Sequence, residues 1–168
     1  MRAIVRGISE SYEKALASYF GSGPTDVNEA KLQHSVYVSK LKELGLSVKE
    51  LASDSAYPDC CFVEDHAVIA GDSVLITNAG HDTRVGEKAV VQEALGEDLN
   101  LHFMPSEARM DGGDVLQFGD KFLVGHSSRT NKKAIECLRE FVTSRGFSLH
   151  VIEVPKASLH LISVCTSP

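Results

Sequence analysis

The chain has 168 residues, which fits one domain of ordinary size, and 43% of them are apolar, enough to build a core. Its formal net charge of -6 argues against non-specific nucleic-acid binding, which needs basic surface to neutralise phosphates. No apolar run approaches the roughly 20 residues that span a bilayer. The opening Met1-Arg2-Ala3-Ile4-Val5-Arg6-Gly7 does not read as a signal peptide, so the expected compartment is the cytoplasm, with no membrane partner.

Taken in order, Ala3-Ile4-Val5 reads as a strand. A loose stretch over 9–24 follows, with a short apolar helix-like segment and then Gly21-Ser22-Gly23-Pro24, the composition of a mobile loop or lid. Asp26 is placed to N-cap a helix carrying Ala30, Leu32, Val36, Leu41 and Leu44. Gly45 ends that helix, and 46–51 reads as a strand.

Beyond Asp65 the grammar becomes regular. Strands are expected at 66–70 and 73–77, a helix at 84–95 and a strand at 99–104. The same series recurs as strands at 114–118 and 121–125, a helix at 131–144 and a strand at 147–154. Gly71-Asp72-Ser73-Val74-Leu75-Ile76 returns as Gly119-Asp120-Lys121-Phe122-Leu123-Val124, and Leu101-His102 as Leu149-His150, both at an offset of 48. The fold expected is therefore α/β, with about three repeated strand–strand–helix–strand units in a single domain over 1–168, the first unit being a variant. A fourth unit is expected to open with a strand at Leu159-His160-Leu161-Ile162-Ser163-Val164-Cys165. Repeats bury their faces against neighbours, and an unpaired terminal strand leaves an open edge. The expectation is a truncated chain, or one whose edge is covered by another chain, with self-association through that edge.

Three signals carry chemistry. Pro58-Asp59-Cys60-Cys61-Phe62-Val63-Glu64-Asp65 places three carboxylates just before an apolar strand. An acidic loop would look the same, but acids at a strand end are unusual. Met110-Asp111-Gly112-Gly113-Asp114 is the second; at the offset of 48, Asp65 falls on Gly113, so the two acidic segments occupy the same place in successive units. If the units surround an axis, these ends converge on a cation pocket. The bland reading is a tight turn with a capping Asp. His160 is the third, at the start of the next strand, where a lone histidine is more often structural. Arg84 and Arg129 both follow second strands. Either could be solvated surface; together they could clamp a carboxylate. Acids for one end and arginines for the other describe an amino acid with a cationic side chain.

Cys60, Cys61, Cys137 and Cys165 form neither a disulfide framework nor a zinc signature, and the other histidines have no metal-ligand spacing. No metal or cofactor is expected.

The segments from Pro58 to Asp65, Leu75-Ile76-Thr77, Asp111-Gly112-Gly113-Asp114-Val115-Leu116, Phe122-Leu123-Val124-Gly125, Ser128-Arg129-Thr130-Asn131 and Leu159-His160-Leu161 together resemble the dimethylarginine dimethylaminohydrolases. That family lies within the guanidine-modifying superfamily of arginine deiminases and amidinotransferases. The resemblance implies an incomplete α/β propeller (pentein) and hydrolysis of Nω-methylated arginine to citrulline and a methylamine. It implies that Asp59 and Asp65 hold the guanidinium with Glu64 beside them, and that Arg84 and Arg129 bind the substrate carboxylate. His160 would be the general acid/base, Asp111 would orient it, and Leu16 would be a lid contact. The nucleophilic cysteine of the family lies well beyond Pro168. Cys165 does not match it by motif, and on a strand would face away from His160. Two alternatives stay open: an arginine deiminase-like hydrolase, and an inactive short form that binds arginine-like ligands or protein partners.

Overall fold

The computed structural model describes residues 1–17 and 25–166. The expected lid segment around Gly21-Ser22-Gly23-Pro24 lies outside the described residues. Chain contacts divide the protein into two compact units, Met1–Val63 and Glu64–Pro168.

In the first unit, β1 (Arg2–Arg6) pairs in parallel with β2 (Ser47–Leu51) across the crossover helix α1 (Val27–Glu43). Parallel pairing requires such a crossover. Asp26 caps α1 as expected, its carboxylate accepting from the N–H groups of Asn28 and Glu29. The apolar face differs from the expectation. Val38 is the helix's buried residue, while Leu32, Val36 and Leu44 are exposed. At 3.6 residues per turn, Leu32 and Val36 lie on the side opposite Val38, so the five apolar residues never formed one stripe.

The second unit contains the repeat. A 3-10 turn (Val63–His66) leads into β3 (Ala67–Ala70), which pairs antiparallel with β4 (Ser73–Ile76); α2 (Lys88–Gly96) then returns the chain to β5 (Asn100–Phe103), parallel to β4. A 3-10 turn (Gly112–Asp114), β6 (Val115–Phe118), β7 (Lys121–His126), α3 (Lys132–Thr143) and β8 (Ser148–Glu153) repeat the pattern. Both hairpins turn on a glycine with positive φ, Gly71 at 65° and Gly119 at 58°, a conformation L-residues avoid. Helix α3 buries Ala134, Ile135, Leu138, Phe141 and Val142, the stripe its spacing predicts, against Leu75, Phe122, Val124 and Leu149.

Two details depart from the expected elements. The helix expected at 84–95 begins as a 3-10 turn (Asp82–Glu87) before α2. Residues 159–165 do not form a strand; Leu161–Ser163 is a 3-10 turn. Its backbone is satisfied locally, with the Ser163 N–H donating to the His160 carbonyl and the Val164 N–H to that of Leu161. This turn occupies the place of the 3-10 turns that precede β3 and β6.

Antiparallel pairing of Ala67 with Ile76 and of Val115 with Val124 puts the start of each hairpin beside its end. The segments before β3 and β6, and those after β4 and β7, therefore share one edge of their sheets. Those segments hold Asp65, Arg84, the Asp111–Asp114 motif and Arg129.

Candidate active site

Asp65 stands at the end of the turn before β3, anchored by the Thr77 hydroxyl donating to its carbonyl at 2.7 Å. Its carboxylate is fixed from two sides. Arg84 Nη1 donates to Oδ2 at 2.6 Å, and the Gly113 N–H donates to Oδ1 at 3.0 Å. Asp65 and Gly113 are equivalent positions of successive units, so the repeat brings its two acidic segments into direct contact. A carboxylate has about four acceptor positions, so Asp65 retains acceptor capacity beyond these bonds.

Behind Asp65 lies a buried ion network. Arg84 Nε and Nη2 donate to Glu87 Oε2 at 3.1 and 2.9 Å, and His66 Nε2 meets the same oxygen at 2.9 Å. Arg84, Asp65, Glu87 and His66 are 4%, 3%, 1% and 1% exposed. Burial alone would lower the affinity of Arg84 for its proton; Asp65 and Glu87 outweigh it and hold the guanidinium charged.

The Asp111-Gly112-Gly113-Asp114 motif supplies the facing wall. Asp111 accepts from the Gly80 N–H at 2.7 Å and from Arg129 Nη1 at 3.2 Å. The glycines are required by close approach: a Cβ on Gly112 would lie 2.0 Å from the Glu64 carbonyl oxygen, and one on Gly113 would lie 2.8 Å from His160 Cδ2. Asp114 is fully buried and accepts from Ser127 Oγ at 2.5 Å, Thr130 Oγ1 at 2.6 Å and the Leu161 N–H at 3.0 Å.

His160 lies between these acids. Its Nε2 is 3.9 Å from Asp65 Oδ1 and 3.8 Å from Asp111 Oδ2, and its Nδ1 is 3.7 Å from Asp114 Oδ1. Four carboxylates (Asp65, Glu87, Asp111, Asp114) against two guanidinium groups (Arg84, Arg129) give the cluster an excess of two negative charges when both imidazoles are neutral. His160 is held above the ordinary imidazole pKa. Burial would lower it, but Asp114, Asp65 and Asp111 together prevail. Asp111 is raised too, by its own burial and then by Asp65, whereas Asp114 is lowered because its donors outweigh burial.

These shifts give a pH dependence with a definite sign. Protonated His160 stabilises the fold below the ordinary imidazole value of about 6.5, and that contribution is lost as pH rises through the raised folded value. Asp111, also raised, contributes in the same sense from the ordinary carboxylate range upward. The thermal midpoint of the chain is expected to fall as pH rises from about 6.5, and the fall is expected to flatten in His160→Gln. Identical pH profiles for the two proteins would contradict this.

Among the expected site residues, the structure gathers Asp65, Asp111, His160 and Arg129, with Arg84 behind Asp65. Arg84 is not a solvent-facing loop residue but a buried one, because two carboxylates take its guanidinium. Glu64 is exposed. Asp59 and Leu16 belong to the first unit, where the Leu16 N–H donates to Asp59 Oδ1 at 3.0 Å and Asp59 is buried. The sequence reading missed Glu87, His66 and the full set of donors around Asp114. The flanking hydroxyls in Ser127-Ser128-Arg129-Thr130 are the signal that could have pointed to the last of these. Asp65, Asp111 and His160 each offer a ligand-type atom within 4.8 Å of the others.

The repeated strand–strand–helix–strand units are those of the α/β-propeller, or pentein, fold. Within it the chain belongs to the dimethylarginine dimethylaminohydrolase family: residues 18–166 match the family described as N,N dimethylarginine dimethylhydrolase, eukaryotic. It is 34% identical over 169 residues to the N(G),N(G)-dimethylarginine dimethylaminohydrolase of Streptomyces coelicolor, covering 99% of this chain and 64% of that protein. It is 34% identical over 167 residues to the Bos taurus Putative hydrolase DDAH2, covering 97% and 57%. Among solved structures, DDAH from Pseudomonas aeruginosa, a cysteine-to-serine mutant complexed with citrulline, superposes with a TM-score of 0.91 at 27% identity, covering 95% of this chain and 63% of that one. The chain thus spans roughly three fifths of the length of these relatives. No helix among the described residues is long and apolar enough to cross a membrane.

Proposed function

We propose that this chain carries the guanidinium-binding and proton-transfer part of a dimethylargininase, which with water converts Nω-methylated arginine to citrulline and methylamine or dimethylamine. The observation that carries the reading is the excess of buried negative charge around His160, whose Nε2 lies between Asp65 and Asp111 at 3.9 and 3.8 Å. A cation stabilises such a cluster, and a guanidinium can bridge carboxylates through several N–H donors at once.

In this reading Asp65, with Glu64 beside it, holds the guanidinium face. A guanidinium carbon is a weak electrophile, so attack needs a strong nucleophile, and the family resemblance implies a cysteine thiolate. His160 gives a proton to the departing amine and later takes one from the attacking water. Asp111 stabilises the imidazolium. Arg129 serves the substrate's carboxylate end; for Arg84 that role comes from the motif match alone, since Asp65 and Glu87 take its guanidinium. For Asp59 and Leu16 the proposal rests on the motif match alone. Cys165 has no part in it. The protein is taken to act in the cytoplasm.

The test is to incubate the chain with asymmetric dimethylarginine and with arginine, following binding by calorimetry and turnover by citrulline. The expected result is binding that prefers the methylated ligand, without citrulline release by this chain alone. Citrulline formation lost in Cys165→Ser would overturn the assignment of the nucleophile. A preference for arginine would favour the deiminase reading, and no binding of either ligand would overturn the site.

A further inference from the structure

We infer that Asp114, rather than Asp111, is the positioning residue of His160: a buried carboxylate that holds the rear nitrogen of the imidazole and leaves Nε2 facing Asp65 and Asp111. The inference rests on His160 as the proton carrier, and separates the task of Asp114 from that of Asp111.

Asp111 and Asp65 both lie on the Nε2 side of the ring, while Asp114 alone lies on the Nδ1 side. A histidine that exchanges protons through one nitrogen is oriented by a partner on the other. Nδ1 is buried and makes no hydrogen bond, and Asp114 Oδ1 lies 3.7 Å from it, within ion-pair distance of a protonated ring. The Asp114 carboxylate is itself immobilised. Ser127 and Thr130 both donate to Oδ2, and the Leu161 N–H donates to Oδ1, the oxygen beside the ring. Because Leu161 directly follows His160, the same carboxylate grips the backbone next to the ring it faces. The surrounding glycines keep the seat open. A Cβ on Gly125 would lie 3.0 Å from Asp114 Oδ1 and 3.1 Å from Leu161 Cβ. On the other side, Gly113 leaves the room that the ring itself fills.

Charge agrees with the geometry. The two acids that end the Asp-Gly-Gly-Asp motif are pushed in opposite directions, Asp114 down and Asp111 up. Acids driven apart by their surroundings take different tasks. Asp114 stays anionic as a permanent counter-ion, whereas Asp111 is the one able to share a proton on the reactive side. The groups that face His160 or lie in its field are Asp65, Asp111, Asp114 and Glu64, with Arg84 and Arg129 paired to the first two. Of these, Asp114 is the acid on Nδ1.

The experiment is a substrate-free NMR titration of His160 in the full chain, following its Cε1–H and ring nitrogens in wild type, Asp114→Asn and Asp111→Asn. Neutral His160 in wild type is expected to carry its proton on Nδ1. Its pKa is expected to fall by about one pH unit in Asp114→Asn and by less in Asp111→Asn. A purely structural Asp114 would lower thermal stability without singling out this titration. The inference is overturned if Asp111→Asn moves His160 further than Asp114→Asn does. It is equally overturned if the neutral ring is protonated on Nε2 in wild type, a result that requires no variant to fold. No ligand is used, so failure to bind a methylarginine would refute the proposed function and leave this result standing.

Discussion

Arg84→Ala is expected to destabilise the chain by about 3–5 kcal/mol, the range for removing one partner of a buried ion pair. Arg84 is 4% exposed and lies between Asp65 Oδ2 and Glu87 Oε2, at 2.6 and 2.9 Å. Alanine removes the cation and leaves both carboxylates in the interior without it. Neither can reach solvent, since Asp65 is 3% and Glu87 1% exposed. Domains of this size retain roughly 5–15 kcal/mol in total, so the loss would consume a large share. Arg84→Lys keeps the charge but cannot reproduce a fork that reaches two acids, and an intermediate loss is expected. Urea unfolding followed by far-UV circular dichroism measures both variants. A shift below about 1 kcal/mol for Arg84→Ala, the scale of an exposed pair, would show that the network does not hold Asp65 as described.

The second large effect concerns ligand charge. Asp65→Asn keeps the shape of the side chain and an acceptor for the Gly113 N–H, but removes one of the two negative charges nearest His160 Nε2. Losing one partner of a buried, hydrogen-bonded charge pair weakens binding by about 2 kcal/mol or more, roughly 30-fold. The loss should fall on cationic guanidinium ligands. A neutral urea of the same shape has no charge for Asp65 to pair with, so its affinity should change little.

Much of this fold was readable in the residues. The 48-residue offset located both hairpins and their return strands because each turn needs a glycine at positive φ and each strand an apolar run. Asp26 and the α3 stripe were legible for similarly local reasons. The convergence of Asp65 on the Asp111–Asp114 motif followed from the repeat, and the Gly113–Asp65 hydrogen bond realises it. The hidden parts were decided by long-range contact. Nothing local marks Glu87 as buried, because its partners His66 and Arg84 reach it from another turn and from one helical turn away. The second half of the Asp-Gly-Gly-Asp motif looked like the first residue of a strand, and only the structure shows which side of the imidazole it occupies. The strand expected after His160 was misplaced because that segment takes the position of the 3-10 turns before β3 and β6, not of the strands that follow them. For α1, apolar residues were present but lay on two sides of the helix.

The most direct test is a calorimetric titration of the chain with asymmetric dimethylarginine and with citrulline, which share a backbone and differ in the charge of the terminal group. Saturable binding is expected in which the cation is preferred by at least about tenfold, or roughly 1.4 kcal/mol, with that preference lost in Asp65→Asn. Equal affinities for the charged and neutral ligands, or a preference that survives Asp65→Asn, would contradict a guanidinium site built on Asp65.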